Sequence, residues 1–411
     1  MKRTYMIFIA FVLAVSVCGC SRDGQVPDAD VQVSAEEAVQ LEHAETSEAA
    51  ETSEAAETSE VAETLEAAEA TEPAETVEAA DEEETAEQGM PVDDDAAPPV
   101  FGLIDAHADT ITRALLREQG MFRNDLHIDF ERLAEYGAPV QVFALWCADR
   151  YVENAFEYTN SLIDFFESEV AKHSDIIQIA LTLEDLEKNA CNNKISAILS
   201  IEGGEALMGS IDNLDHFYSR GVRIMSLTWN RENELGYGQA AGSDEGLKPF
   251  GEQCVRRMEE LGMILDVSHI NEAGFRDAHA LSTRPYMASH SNAYAVTPHL
   301  RNLADWQIRA IADTGGIVGL ALYPLFLSQG SSADINDILA HIGHFISLGA
   351  GSNLGFGSDF DGFAVMPEGI TDVSSFGVLK ERISAEFGEE ASAQIMWGNF
   401  YDFFVRYFSA G

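Results

Sequence analysis

From Val100 to the C-terminus, short apolar runs bounded by Gly, Pro or Asn alternate with longer amphipathic stretches. The runs are GLIDAHAD (102–109), VQVFALWCA (140–148), SAILSIEGG (196–204), GVRIMSLTWN (221–230), GMILDVSH (262–269), PYMASHSN (285–292), GGIVGLALYP (315–324) and NLGFGSDFDG (353–362). Between them, Glu153–Lys172, Glu252–Leu261, Leu303–Asp313 and Ile335–Leu348 read as helices. Runs that stay apolar, rather than alternating with polar residues, predict strands covered on both faces, as in a parallel sheet wrapped by helices. Eight such strands alternating with helices over about 260 residues predict a (β/α)8 barrel of TIM type rather than an open doubly wound sheet.

Each run starts apolar and ends in chemistry: His107 and Asp109, Glu202, Asn230, His269, His290 and Asp359. In such a barrel the active site lies at the C-terminal ends of the strands. His107 and Asp109 are spaced i, i+2, so on a strand both face the same side. With Glu202, His269 and His290 they offer three imidazoles and two carboxylates, a set that suits zinc and is too rich in nitrogen for magnesium or calcium. Five ligands exceed what one catalytic zinc takes from protein, and two metals bridged by a carboxylate account for the count. Taken singly, His269 reads as a core histidine and Glu202, beside Gly203 and Gly204, as a turn acid; jointly they read as a metal site. His341 and His344, three apart on a predicted helix, have no supporting carboxylate at a strand end and read as core or surface residues. So do His127, His173, His216, His279 and His299. No phosphate-binding glycine motif follows Glu202.

Charge divides the chain. It carries 24 Lys and Arg against 70 Asp and Glu, a net charge of -46, which excludes the clustered cations a nucleic-acid binder needs. Of those acids, 26 lie in residues 21–100 beside a single base, Arg22. There the chain repeats a six-residue unit, AETSEA, from Ala44 and has no aromatic residue. A segment so charged and so poor in large apolar groups cannot bury enough surface to fold, and reads as a disordered, solvated tether over 21–98. At the start, Lys2 and Arg3 precede an apolar run of 13 residues, Tyr5 to Val17, the order of an export signal and too short to span a bilayer. The run ends in Val17-Cys18-Gly19-Cys20, which resembles the lipobox of bacterial lipoproteins. Cleavage before Cys20 and acylation of its thiol follow from that reading; an ordinary secretory signal is the alternative. Residues 1–20 are thus expected to be the signal, 21–98 the linker and 99–411 the folded domain. Its cysteines, Cys147, Cys191 and Cys254, are odd in number and form no C-x-x-C pair, so neither a disulfide framework nor a cysteine zinc site is expected.

Over residues 101–411 the motifs IDAHADT, IEGG, GVRIMSLT, DVSH, SHSNAYAV with HLRN, and GSDFDG with PEGITDVS occur in an order that resembles the membrane dipeptidase family, also called renal dipeptidases. HxD at the first strand separates that family from the wider amidohydrolases, whose barrel it shares. The resemblance implies two Zn²⁺ per chain, one held by His107 and Asp109, the other by His269 and His290, with Glu202 bridging. It further implies that Asp359 handles protons near a bridging hydroxide and that Arg301 pairs with the substrate's free carboxylate. One position departs from the pattern. Where better-known members carry a histidine near the scissile carbonyl, this chain has Trp229, followed by Asn230. The indole N–H or the Asn230 amide is expected to substitute in part. The expectation is a lipid-anchored, extracytoplasmic dipeptidase of the bacterial envelope, acting on dipeptides and held to the membrane through Cys20; a homodimer is compatible with it. A two-metal hydrolase of another amide or lactone, and a peptide-binding lipoprotein whose chemistry was lost at Trp229, are the alternatives.

Overall fold

The computed structural model describes residues 100–330 and 332–409. The expected signal, the Cys20 anchor and the acidic tether lie outside them. Nine parallel strands are present: β1 (Ile104–Asp105), β2 (Val140–Trp146), β3 (Ile177–Ile179), β4 (Ile195–Glu202), β5 (Val222–Ser226), β6 (Ile264–Asp266), β7 (Met287–Ala288), β8 (Ile317–Leu320) and β9 (Leu354–Phe356). Eight close into a ring in the order β1-β2-β4-β5-β6-β7-β8-β9, and β9 returns to β1 through Asp105 and Phe356. The expected (β/α)8 barrel is therefore the fold, and each of the eight apolar runs supplies one of its staves. β3 is an addition: it pairs with the start of β4 on the edge opposite β2, below the point where β5 takes over at Leu199. The four expected helices are observed as Ala155–Lys172, Pro249–Leu261, Asp305–Asp313 and Ile335–Ser347.

The core has two parts. The larger lies between the barrel and its helices. The smaller draws Ile104, Val142, Ile198, Ile224, Ile264, Met287 and Ile317 from seven different strands, a grouping that only the barrel lumen permits. Phe400, Phe403, Phe404 and Tyr407 of the C-terminal helix (Asn399–Ser409) join this lumen cluster and close its lower end. Tyr407 Oη donates to the Met263 carbonyl just before β6 (2.8 Å), and Asn399 Nδ2 to that of Leu354 at the start of β9 (2.7 Å). Gly355 makes the approach possible, since a Cβ there would lie 2.4 Å from the Phe400 ring. With the N-terminal end plugged by aromatic side chains, chemistry is confined to the opposite mouth.

Candidate active site

Only Glu202 lies on a hydrogen-bonded strand; His107, Asp109, His269, His290 and Asp359 sit just past the ends of theirs. The expectation that His107 and Asp109 share a strand face is thus modified. The β1 ladder stops at Asp105, and Asp109 occupies the position before the helix Thr110–Leu116. Side chains from different staves converge on one point only if the backbone bends there. His269 and Asp359 do so with φ of 68° and 62°, a left-handed conformation costly for residues other than glycine and concentrated at functional sites. The Asp359 N–H donates to the His107 carbonyl (3.1 Å), which ties the bend at Asp359 to the segment that carries His107.

The result is a compact cluster. Glu202 Oε2 lies 3.6 Å from His107 Nε2, which is 3.6 Å from Asp109 Oδ2. The other oxygen, Oε1, lies 2.9 Å from His269 Nε2 and 3.5 Å from His290 Nε2. One carboxylate therefore faces His107 and Asp109 with one oxygen and His269 and His290 with the other. Three overlapping triads each bring ligand atoms close enough for one metal ion: His107, Asp109 and Glu202; Glu202, His269 and His290; His107, His290 and Asp359.

The rings are turned by their far nitrogens. His269 Nδ1 meets Asn230 Oδ1 at 2.8 Å, and His290 Nδ1 meets Ser289 Oγ at 2.8 Å. Ser289 Oγ gives its own proton to Asp266 Oδ2 (2.5 Å), so it accepts from His290, and it lies 3.4 Å from His107 Nδ1. With Nδ1–H engaged in this way, the Nε2 lone pairs of His269 and His290 face one another across 2.7 Å. Two lone pairs held so close call for a positive charge between them, and this outer hydrogen bonding is what orients ligating histidines.

Electrostatics point the same way. Burial, reinforced by the Arg301 charge, holds His269 and His290 well below the usual histidine range, neutral as metal ligands must be. Burial opposes a charge on His107 too, but Glu202 and Asp109 outweigh it and raise that residue. Burial and then the Asp109 charge push Glu202 up to about 7. Burial with Asp109 also holds the half-buried Asp359 well above the carboxylate range. Three crowded carboxylates lack sufficient positive charge among the protein groups. His107 Nε2 and Asp109 Oδ1 are, besides, buried with no hydrogen-bond partner among the described residues. Orphaned ligand atoms, neutral imidazoles and excess carboxylate are together what a divalent cation would satisfy.

Arg301 is 2% exposed, its guanidinium 5.4 Å from the Phe326 ring, and its charge reaches His269, His290, Glu202 and Asp359. Trp229 packs 6.2 Å from the His269 ring and 5.2 Å from that of Trp146. The amide oxygen of Asn230 is turned onto His269 Nδ1 (2.8 Å) and so orients that ring. Ser289, Asp266 and Trp146 were not singled out from the sequence. A signal for the first two exists in DVSH and ASHS, where a small or acidic hydrogen-bonding residue stands one to three positions before each histidine.

The remaining histidines are satisfied elsewhere. His341 is buried between the Ala293 N–H (3.1 Å) and the Leu327 carbonyl (3.2 Å); His344 meets Asp305, His279 meets Tyr286 and His216 meets Asn160, each at 2.8 Å. His127 lies against Asp361, His173 against Phe122, and His299 accepts from the Arg301 N–H. The three domain cysteines are free.

The membrane dipeptidase family, peptidase family M19, matches residues 99–405. An uncharacterised dipeptidase of Schizosaccharomyces pombe is 32% identical over 276 residues, 62% of this chain and 66% of that one. The dipeptidase aclJ of Aspergillus oryzae is 32% identical over 272 residues, 62% of this chain and 64% of its own. The chain thus spans just under two thirds of the length of these curated relatives. A crystal structure of a metallo peptidase from Rhodobacter sphaeroides, liganded with a phosphinate mimic of the dipeptide L-Ala-D-Ala, superposes with a TM-score of 0.70 at 26% identity, covering 75% of this chain and 99% of that one. With the barrel, the converging ligand cluster and a match over three quarters of its length, the chain belongs to the membrane dipeptidase family, peptidase family M19.

Proposed function

We propose that this protein is a binuclear zinc dipeptidase. The observation that carries the reading is the placement of Glu202, one oxygen facing His107 and the other facing His269 and His290. Membership in a metallopeptidase family brings a metal cofactor, and the donor set favours zinc and a count of two. His107 and Asp109 would hold one ion, His269 and His290 the other, with Glu202 between. Ions so placed would supply an activated water and polarise a carbonyl. The chain's own residues supply the rest. Arg301, buried and planar, suits the free carboxylate of a dipeptide by its paired N–H groups. Asp359, only partly buried where the rest of the cluster is fully so, is suited to hold a proton and pass it to the departing amine nitrogen. Asn230 and Ser289 hold the imidazoles in place.

The test is a substrate panel on zinc-supplied protein: L,L dipeptides, L-Ala-D-Ala, an N-acyl amino acid and a lactone. Cleavage of dipeptides, abolished in Glu202→Gln, supports the reading. Turnover of the lactone or N-acyl amino acid alone would move the same metals to another substrate. Peptide binding without turnover would make the protein a binder.

Attachment to a bacterial membrane through acylated Cys20 is the second part of the proposal, supported by the order of Lys2-Arg3, apolar run and Cys20. No helix among the described residues is long and apolar enough to cross a membrane. Detergent-phase partition of the expressed full chain, lost in Cys20→Ser, is the expected result; equal partition of both would remove the anchor.

A further inference from the structure

The mouth of the barrel holds a hydrogen-bond donor that the metal site does not use. Trp146 is the last residue of β2 and pairs in register with Glu202, the last of β4. Directly paired residues on parallel strands present their side chains to the same face. Trp146 therefore points with Glu202 into the barrel, in line with Val142 and Val140, which belong to the lumen cluster. From the other side of β4, Trp229, just past the end of β5, reaches over to it. The two indoles meet with ring centroids 5.2 Å apart and planes tilted by 58°. They form an aromatic wall over the strand end that carries Glu202. Trp146 is fixed from below as well, since Thr112 Oγ1 donates to its carbonyl (3.3 Å).

The Trp146 Nε1–H is buried and has no acceptor among the described residues. A buried donor left unmade is unfavourable, and one that persists beside a reaction centre calls for an explanation. An indole nitrogen only donates. A dipeptide offers two kinds of acceptor, its amide carbonyl and its terminal carboxylate, while its protonated amine offers none. The carboxylate is matched by Arg301. The carbonyl is left, and it is the group that must approach the cluster around Glu202.

We propose that the Trp146 indole N–H donates to the carbonyl oxygen of the bond being cleaved, and that Trp229 holds the indole in place. The proposal rests on the dipeptidase reading. A donor aimed where negative charge develops is among the larger contributions a single residue makes to catalysis.

Trp146→Phe keeps an aromatic ring and removes the N–H. In the zinc-loaded full chain it is expected to retain the wild-type metal content, lower kcat/KM for an L,L dipeptide about 100-fold, mostly in kcat, and weaken binding of a phosphinate dipeptide mimic. Trp146→His, which restores a ring N–H, is expected to recover part of the loss. A Trp146→Phe enzyme with unchanged metal content and kcat/KM within about twofold of wild type would overturn the proposal.

A second measurement needs no variant at this position. The chain has four tryptophans. Phe variants of the other three identify the indole ¹H–¹⁵N resonance of Trp146, which should shift downfield when the mimic is added to zinc-loaded protein. An unmoved resonance at saturating mimic would equally overturn it. Wild-type protein that binds zinc but cleaves no dipeptide would instead remove the underlying reading, and this proposal with it.

Discussion

Replacing Ser289 by alanine removes an oxygen with four polar neighbours, the Ser268 hydroxyl at 3.3 Å among them. The Ser289 hydroxyl donates to Asp266 Oδ2 at 2.5 Å, accepts from His290 Nδ1 at 2.8 Å and lies 3.4 Å from His107 Nδ1. In Ser289→Ala the His290 Nδ1–H loses its acceptor, while Asp266 Oδ1 keeps the backbone N–H groups of Ser268 and Ser289, both at 2.9 Å. The side-chain links from this oxygen to His290 and Asp266 are thereby lost, while the strand ends stay tied through the backbone. Leaving a buried polar group unsatisfied costs about 1–3 kcal/mol. Loss of the outer partner of a ligating histidine typically weakens metal binding about 10- to 100-fold. At about 1.4 kcal/mol per factor of ten these two figures agree. The expectation is zinc affinity lowered about 10- to 100-fold at the site that includes His290, with a Tm in excess zinc close to wild type. Competition with a fluorescent chelator measures the affinity, and Ser289→Thr, which restores the hydroxyl, should recover most of it. Wild-type affinity in Ser289→Ala, or no advantage of threonine over alanine, would refute the reasoning.

Further outcomes follow from the same geometry. Asp359→Asn is expected to keep its metal and lose about 10²- to 10⁴-fold in kcat, which separates proton handling from metal holding; equal kcat would remove Asp359 from the chemistry. Arg301→Lys keeps the charge but not the fork, and is expected to raise KM for dipeptides at least about tenfold while narrowing the preference for a free carboxylate over its amide; an unchanged preference would place carboxylate recognition elsewhere. Burial holds His341 at about 4, below the usual 6.5. The unfolded chain then binds one more proton than the folded one between those values, so this contribution is fully present above pH 6.5 and lost as pH falls towards 4. In His341→Gln, unfolding free energy should fall with acid by up to about 1.4 kcal/mol less per pH unit in that window, and an identical slope in denaturant titrations would count against it.

The barrel was legible because parallel strands covered on both faces leave continuous apolar runs in the sequence. The missed strand, Ile177–Ile179, is three residues long and follows the helix Ala155–Lys172 after a short turn, so no period could establish itself. The plug formed by Phe400, Phe403, Phe404 and Tyr407 reads as an ordinary amphipathic helix until its partners in seven strands are known. Sequence spacing indicates ligand-type residues at the strand ends but not the bends that bring them together: histidine and aspartate are among the residues that tolerate left-handed φ best, yet nothing in the spacing marks His269 and Asp359 as taking it. It also passed over Ser289 and Trp146. A serine before a histidine and a tryptophan ending an apolar run look ordinary, and their roles arise only from contact with Asp266, His107 and Trp229, all distant in the chain. Asn230 was noticed as chemistry, but only the fold shows that its oxygen belongs to His269.

The central claim is that two zinc ions shared through Glu202 make this chain a dipeptidase. Titrating chelator-stripped protein with zinc while following hydrolysis of an L,L dipeptide tests it most directly. The account predicts no turnover in the stripped protein, activity that rises with added zinc and levels off at two equivalents per chain, and neither metal uptake to two nor turnover in Glu202→Gln. Undiminished hydrolysis by the stripped protein, or a plateau at one equivalent with full activity, would contradict it.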